Sequence, residues 1–280
     1  MNIADPPGTT ADGWSARLDL GFERRAGRTL LASGRRQGPL CVQRAFYPEG
    51  DICHLYLLHP PGGVVGGDKL ELNVRVRERA RVLLTTPGAT KFYRSAGAQA
   101  VQQQHLRIEA GGVLEWFPQE NILFPGARVR SRTRLELTGD ARLLGWELQV
   151  LGRPVIGERF RSGTADLGLV IERDGRPLLS ERLRLKQGDV LDGPSGLRGY
   201  PVNAAFFANG AVAKDLTAGR EGLALPDHTL FAMTLLDDLL VARCLATSVE
   251  SVRRAFAALW GILRPRLLGR AACPPRIWGT

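Results

Sequence analysis

The sequence predicts a mostly β chain that ends in a small helical part, and three observations carry this. Period-2 alternation of apolar and polar residues recurs along most of the length. Gly and Asp turn signals punctuate it at short intervals. One stretch near the C terminus switches to helical spacing.

Taken in order, residues 1–13 are polar and Pro/Gly-containing, and are expected to form a loose terminus before a single domain over 14–280. Trp14–Leu20, Leu70–Arg77, Val129–Leu137 and Leu183–Lys186 alternate and read as half-buried antiparallel strands with one wet face. The apolar runs Ile52–Leu58, Val82–Leu84 and Leu230–Leu236 read as strands buried on both faces. Ala110–Gly112, Thr138–Asp140 and Arg173–Arg176 read as turns. A second helix is expected around Asn203–Leu216, interrupted at Gly210, and Gly188–Asn203 reads as an insertion. From Ser248 onward, apolar residues at 252, 255, 256, 259, 260 and 263 form one helical stripe. Ser248 suits the N-cap, Glu250 suits the first turn, and Pro265 is expected to end the helix. No fixed-period repeat is visible.

The 280 residues are 44% hydrophobic and 24% charged, an ordinary globular balance with ample material for a core. The net charge is +10, and 34 of the 38 basic residues are arginine, which favours acidic partners. The N terminus lacks a basic, then apolar, leader, and no apolar run is long enough to span a membrane. Cysteines 41, 53, 244 and 273 form no CxxC pair, so a cytoplasmic setting with free thiols is expected.

The motifs exclude several chemistries. His59–Asp68 carries two prolines and four glycines, but Gly67 is followed by Asp68-Lys69-Leu70, so it is no phosphate loop. A tight crossing of two chain segments explains the glycines better. There is no G-x-S-x-G elbow and no closed Cys/His zinc set. Glu115 and Glu120 lie five apart and face opposite ways on a straight strand. Asp68, Glu120, Glu147 and Glu181 lie in or beside apolar strand contexts, where an acid is costly unless paired or solvated. Arginine pairing is the common solution, and a water-filled passage lined by acids is the sharper alternative.

Together the motifs resemble one family. His59-Pro60-Pro61-Gly62-Gly63 through Gly66-Gly67-Asp68, Pro87–Ser95 and Glu115-Trp116-Phe117-Pro118-Gln119-Glu120 are similar to its signatures. So are Trp146-Glu147 with Leu151-Gly152-Arg153, Gly157–Phe160 and the closing Pro275–Thr280. The family is the urease accessory protein UreD, called UreH in some organisms, and the matches run in order from about residue 14 to 280. Phe117 departs from the usual aliphatic residue but stays apolar.

The resemblance implies a β-helix-like stack of antiparallel sheets with a small C-terminal helical part. It implies a urease maturation chaperone rather than an enzyme. Such a protein binds apo-urease and, with UreF and the GTPase UreG, supports insertion of nickel, with UreE as an indirect donor. No tightly bound cofactor is implied. Asp68, Glu147 and Glu181 are the candidates for transient nickel contacts along a polar passage, because oxygen ligands release nickel where imidazole and thiolate retain it. Two rivals remain. A carbohydrate-active enzyme on a β-helical scaffold requires two carboxylates, from Glu115, Glu120 and Glu147, facing one cleft. A nucleic-acid binder requires a contiguous arginine face with interleaved aromatics, which the dispersed charge argues against.

Overall fold

Each alternating segment must bury one apolar face, and this chain does so by winding into coils. The structure, a computed structural model, describes residues 13–186, 191–225 and 227–279. The expected loose N terminus therefore lies, except for Gly13, outside the described residues. A hairpin of β1 (Ser15–Arg25) and β2 (Arg28–Gln37) is followed by β3 (Cys41–Val42) and β4 (Cys53–Leu58). The coils then comprise β5 (Lys69–Val76), β6 (Arg81–Thr85), β7 (Thr90–Phe92), β8 (Ala100–Ile108), β9 (Val113–Phe117) and β10 (Asn121–Leu123). They continue through β11 (Arg128–Leu137), β12 (Arg142–Arg153), β13 (Glu158–Arg159) and the hairpin β14 (Thr164–Arg173) and β15 (Arg176–Lys186). β16 (Val202–Asn209), α1 (Ala213–Gly222), β17 (Thr229–Leu236), β18 (Leu239–Ala246) and α2 (Val249–Leu268) complete the chain.

Two sheets result. The first runs β15-β14-β11-β8-β5-β1-β2, and the second runs β17-β18-β16-β12-β9-β6-β4-β3. The chain crosses between them at each turn, from β5 to β6, β8 to β9 and β11 to β12. The return path carries β7 and β10, which pair with each other and, through β10, with β12. This is the mostly β, β-helix-like arrangement with a C-terminal helix. Strand direction, however, departs from the antiparallel expectation. β1/β5/β8/β11/β14 and β4/β6/β9/β12 pair in parallel, while antiparallel pairs sit at the sheet ends. Alternation reports that one face is buried and says nothing about direction, and a coil brings each strand back pointing the same way. Lys69 stacks on Val101, Val101 on Arg130 and Arg130 on Asp166, so successive coils differ in length and leave no fixed sequence period.

The core between the sheets joins Leu20, Val74, Leu106, Leu135 and Ile171 of the first sheet to Leu55, Leu84, Leu114 and Leu143 of the second. The second sheet is also covered on its outer face, where Phe117, Trp146, Phe206 and Ala242 pack against Phe256, Leu259, Trp260 and Leu263 of α2. That double cover explains the apolar runs of β4 and β6. The expected helical stripe is the buried face of α2, together with Arg264. Ser248 caps it, accepting from the Ser251 N–H at 3.4 Å. Pro265 does not end the helix. It sits in the last turn, and Gly269 in the left-handed region closes the helix, its N–H donating to the Pro265 carbonyl.

Two further expectations change. Residues 203–209 belong to strand β16, and the helix starts only at Ala213, after Gly210 turns the chain at φ 76°. β17 is the terminal strand of its sheet, with a single strand neighbour, so Leu230, Ala232, Thr234 and Leu236 are exposed rather than buried. Within the expected insertion, residues 188–190 lie outside the described residues, while Leu191 and Leu197 pack into the core near Phe92 and Phe160.

Candidate functional site

The interior is not apolar throughout. On neighbouring strands, Ser131 donates to Gln102 Oε1 at 2.9 Å and Thr133 donates to Gln104 Oε1 at 2.8 Å. Across from them, alternation along β12 sends Trp146 and Leu148 to the α2 side and leaves Glu147 facing between the sheets. Two cavities meet at this residue. One, of about 340 Å³, is walled by His59, Pro60, Lys91, Gln102, Gln104 and Glu147 among others. The other, of about 320 Å³, is walled by Glu147, Gln149, Glu181, Asn203 and Arg243 among others. Polar side chains thus stand among leucines and prolines in the walls from the His59 loop to β15.

The electrostatics follow from placement. Removal from bulk water pushes the Glu147 carboxyl up to about 7; Thr133 pulls it back and the Glu181 charge adds to the rise. Glu147 nevertheless keeps surface facing the cavities and is only half-buried. Glu181 sits at the other end, where Arg243 Nε donates to its Oε1 at 2.7 Å, so it is arginine-paired and partly exposed. Gln149 Oε1 is buried without a hydrogen-bond partner among the described residues.

Asp68 has a different position. It is 6% exposed, and its two oxygens accept from the Trp14 N–H at 2.8 Å and the Val65 N–H at 2.9 Å. It knots the His59–Asp68 loop to the N-terminal strand and is not among the residues that wall either cavity. Burial lowers the His59 pKa, against the pull of Asp68. The loop is a tight crossing, as its glycines suggest. A Cβ on Gly63 would lie 2.1 Å from Tyr93 Cε2, and Gly67 has φ 96°.

The remaining acids do other work. Glu115 lies 1% exposed on the α2 side of the second sheet. Arg264 Nη2 donates to its Oε1 at 2.9 Å and Trp260 Nε1 to its Oε2 at 2.6 Å. The same guanidinium reaches Glu49 through Nη1 and Nη2, both at 2.7 Å, and Glu49 also meets His54 Nε2 at 2.8 Å. Burial would raise Glu49, but His54 and Arg264 outweigh it and hold this carboxyl at about 2. Glu120 is 8% exposed, with Oε2 unpartnered among the described residues. Glu115 therefore faces Arg264, while Glu147 faces the interior. The paired open carboxylates that a glycosidase would use are not assembled from these residues. Nothing in the sequence signalled the Glu49–Arg264–Glu115 cluster, because its members are 149 and 215 positions apart.

Some of the arginines pair with acids on the outer face of the first sheet. Arg107 pairs with Glu136, Arg134 with Glu172, and Arg132 and Arg182 with Asp166. Those four arginines share three carboxylates, so this face is a ladder of ion pairs with acids interleaved rather than a run of arginine alone. Among the described residues there is no group of three or more His, Cys, Asp or Glu that would hold a metal ion, and no helix long and apolar enough to cross a membrane.

A family model described as UreD urease accessory protein matches residues 15–279. A urease accessory protein UreD of Alcanivorax borkumensis is 48% identical over 273 residues, covering 96% of this chain and 93% of its own. The protein of that name from Pseudomonas aeruginosa is 45% identical over 282 residues and covers 100% of both chains. One from Alkalilimnicola ehrlichii is 45% identical over 285 residues, covering 99% of this chain and 96% of its own.

Proposed function

The chain belongs to the UreD family of urease accessory proteins, and from that premise we propose that it is a non-catalytic scaffold through which nickel reaches apo-urease. A role in urease maturation follows from the family. The passage is the finer reading, and one observation carries it. Glu147 walls both interior cavities, in a row of amide and hydroxyl side chains that a β-solenoid core would otherwise fill with aliphatics. Nickel is the cargo. Isolated oxygen donors suit its transit, because they hold a borderline metal weakly and let it leave.

In this reading Glu147 offers a carboxylate at the waist, and Glu181, shared with Arg243, stands at the far mouth. Asp68 keeps the near mouth in shape through its two backbone bonds. The partners are apo-urease, UreF and UreG, with UreE upstream, and the setting is the cytoplasm. These partners come from the family resemblance, and the net charge of +10 suits acidic protein surfaces.

The test is co-expression of the urease subunits and accessory proteins with the Glu147→Ala, Glu181→Ala double variant. Soluble protein and UreF pull-down are expected to persist while nickel per urease site falls. Normal nickel loading would overturn the passage.

A further inference from the structure

An open sheet edge is a template for another strand, and proteins guard such edges with charge, proline, brevity or cover. Among the described residues, the main paths of the two sheets end on four strands, with the short β7 and β13 ending side branches. β2 carries Arg28, Arg35 and Arg36. β15 carries Arg176, Pro177, Arg182, Arg184 and Lys186. β3 is two residues long. β17 is eight residues, TLFAMTLL, with no charge and no proline.

The outer edge of β17 also has a legible hydrogen-bonding pattern. Arg220 Nη2 donates to the Met233 carbonyl at 2.7 Å, so that carbonyl points away from β18. In an antiparallel ladder, outward-facing groups recur at every second residue, so Phe231 and Leu235 share that orientation. One face is open as well. Glu181 of β15 pairs with Arg243 of β18, so the first sheet ends above β18 and β17 overhangs it. Leu230 and Leu236, 37% and 40% exposed, lie on the overhanging face with Ala232. This shelf borders the mouth formed by Glu181 and Arg243.

We propose that β17 is a strand-addition site, and that its occupant is an extended segment of a protein partner. That segment lays apolar side chains on Leu230, Ala232 and Leu236 and brings an acidic side chain to Arg220. The arguments for this occupant are chemical. The edge offers main-chain donors and acceptors that only an extended backbone matches. It is the uncharged edge of a chain whose other long sheet ends are strongly basic. Arg220, released from the Met233 carbonyl when a strand arrives, needs an anion. The choice of apo-urease and UreF as probes rests on the function proposed above; the uncharged edge does not.

Hydrogen exchange tests this on the full chain, alone and in complex with apo-urease or with UreF. The outward amides of Phe231, Met233 and Leu235 are expected to exchange at least tenfold more slowly in one of the two complexes. The Leu230→Lys, Ala232→Lys double variant is expected to melt like the parent and to lose that complex while keeping the other. Unprotected amides in both complexes would overturn the proposal. So would protection that depends only on the concentration of the chain alone, which would mean that a second copy fills the edge. Loss of protection and binding with normal passage variants, or the reverse, separates this proposal from the nickel passage.

Discussion

Replacing Glu147 by Gln should make the protein more stable, and only at neutral and alkaline pH. The carboxyl rises from its ordinary 4.5 to about 7 in the fold because burial penalises its charged form. The sign follows from proton linkage. Below pH 4.5 both folded and unfolded forms are protonated, and Glu147 costs nothing extra. As pH rises from 4.5 to 7 the unfolded chain ionises while the folded chain keeps its proton, so stability falls. Above 7 both are ionised and the penalty is constant. A rise of that size corresponds to roughly 3 kcal/mol, and cavity water brings it to about 1–3 kcal/mol. Glutamine keeps the shape and hydrogen bonding without the charge. Urea unfolding at pH 8 should therefore show a gain of about 1–3 kcal/mol for Glu147→Gln, shrinking to under about 1 kcal/mol at pH 5. The same variant should load less nickel into urease. Equal stabilities at both pH values would refute the placement of this acid, and a gain that grew toward acid pH would refute the sign.

Two other perturbations address the frame. Glu115→Ala removes one carboxylate from a fully buried Arg264 and should destabilise by roughly 3–5 kcal/mol, whereas Glu115→Gln, which keeps an acceptor for Arg264 and Trp260, should lose less in denaturant unfolding. Gly63→Val drives a side chain into the Tyr93 ring and should cost about 1–3 kcal/mol or more, while Gly88→Ala, with no atom within 4 Å of its new Cβ, should leave the melting temperature nearly unchanged.

Much of the fold was legible because alternation and helical spacing report burial directly. The α2 stripe from Val252 to Leu263 lies where its spacing put it. Strand direction was not legible, since β5 and β8 alternate identically whether they pair parallel or antiparallel. The misread of Leu230–Leu236 has a related cause. An apolar run gives no sign that its strand stands last in a sheet, beyond the reach of the strands opposite. Of the three candidate acids, Glu147 faces between the sheets because Trp146 and Leu148 on either side of it face α2. Asp68 is a candidate as an oxygen donor beside an apolar strand, but its two oxygens clamp the Trp14 and Val65 N–H groups instead. Glu115 looked like a free acid because its partners, Glu49's neighbour Arg264 and Trp260, lie far along the chain.

The register of the coils explains why a polar path can exist inside this scaffold. Gln102 lies beside Ser131 and Gln104 beside Thr133, so each rung donates and accepts within the wall and leaves few groups stranded. Farther along the same row of the first sheet, Leu169 stands beside Thr133 and Glu181 beside Leu169. The path we propose therefore has to cross to Glu147 on the facing sheet before it reaches Glu181. A one-residue slip of β12 would exchange Glu147 for Trp146 or Leu148 and seal that crossing with an apolar side chain. Such a slip would also push the carboxylate into the aromatic cluster of Phe117, Trp260 and Trp278, so the packing that fixes α2 fixes the crossing too. The costly acid thus stands on a strand whose other face is packed against α2.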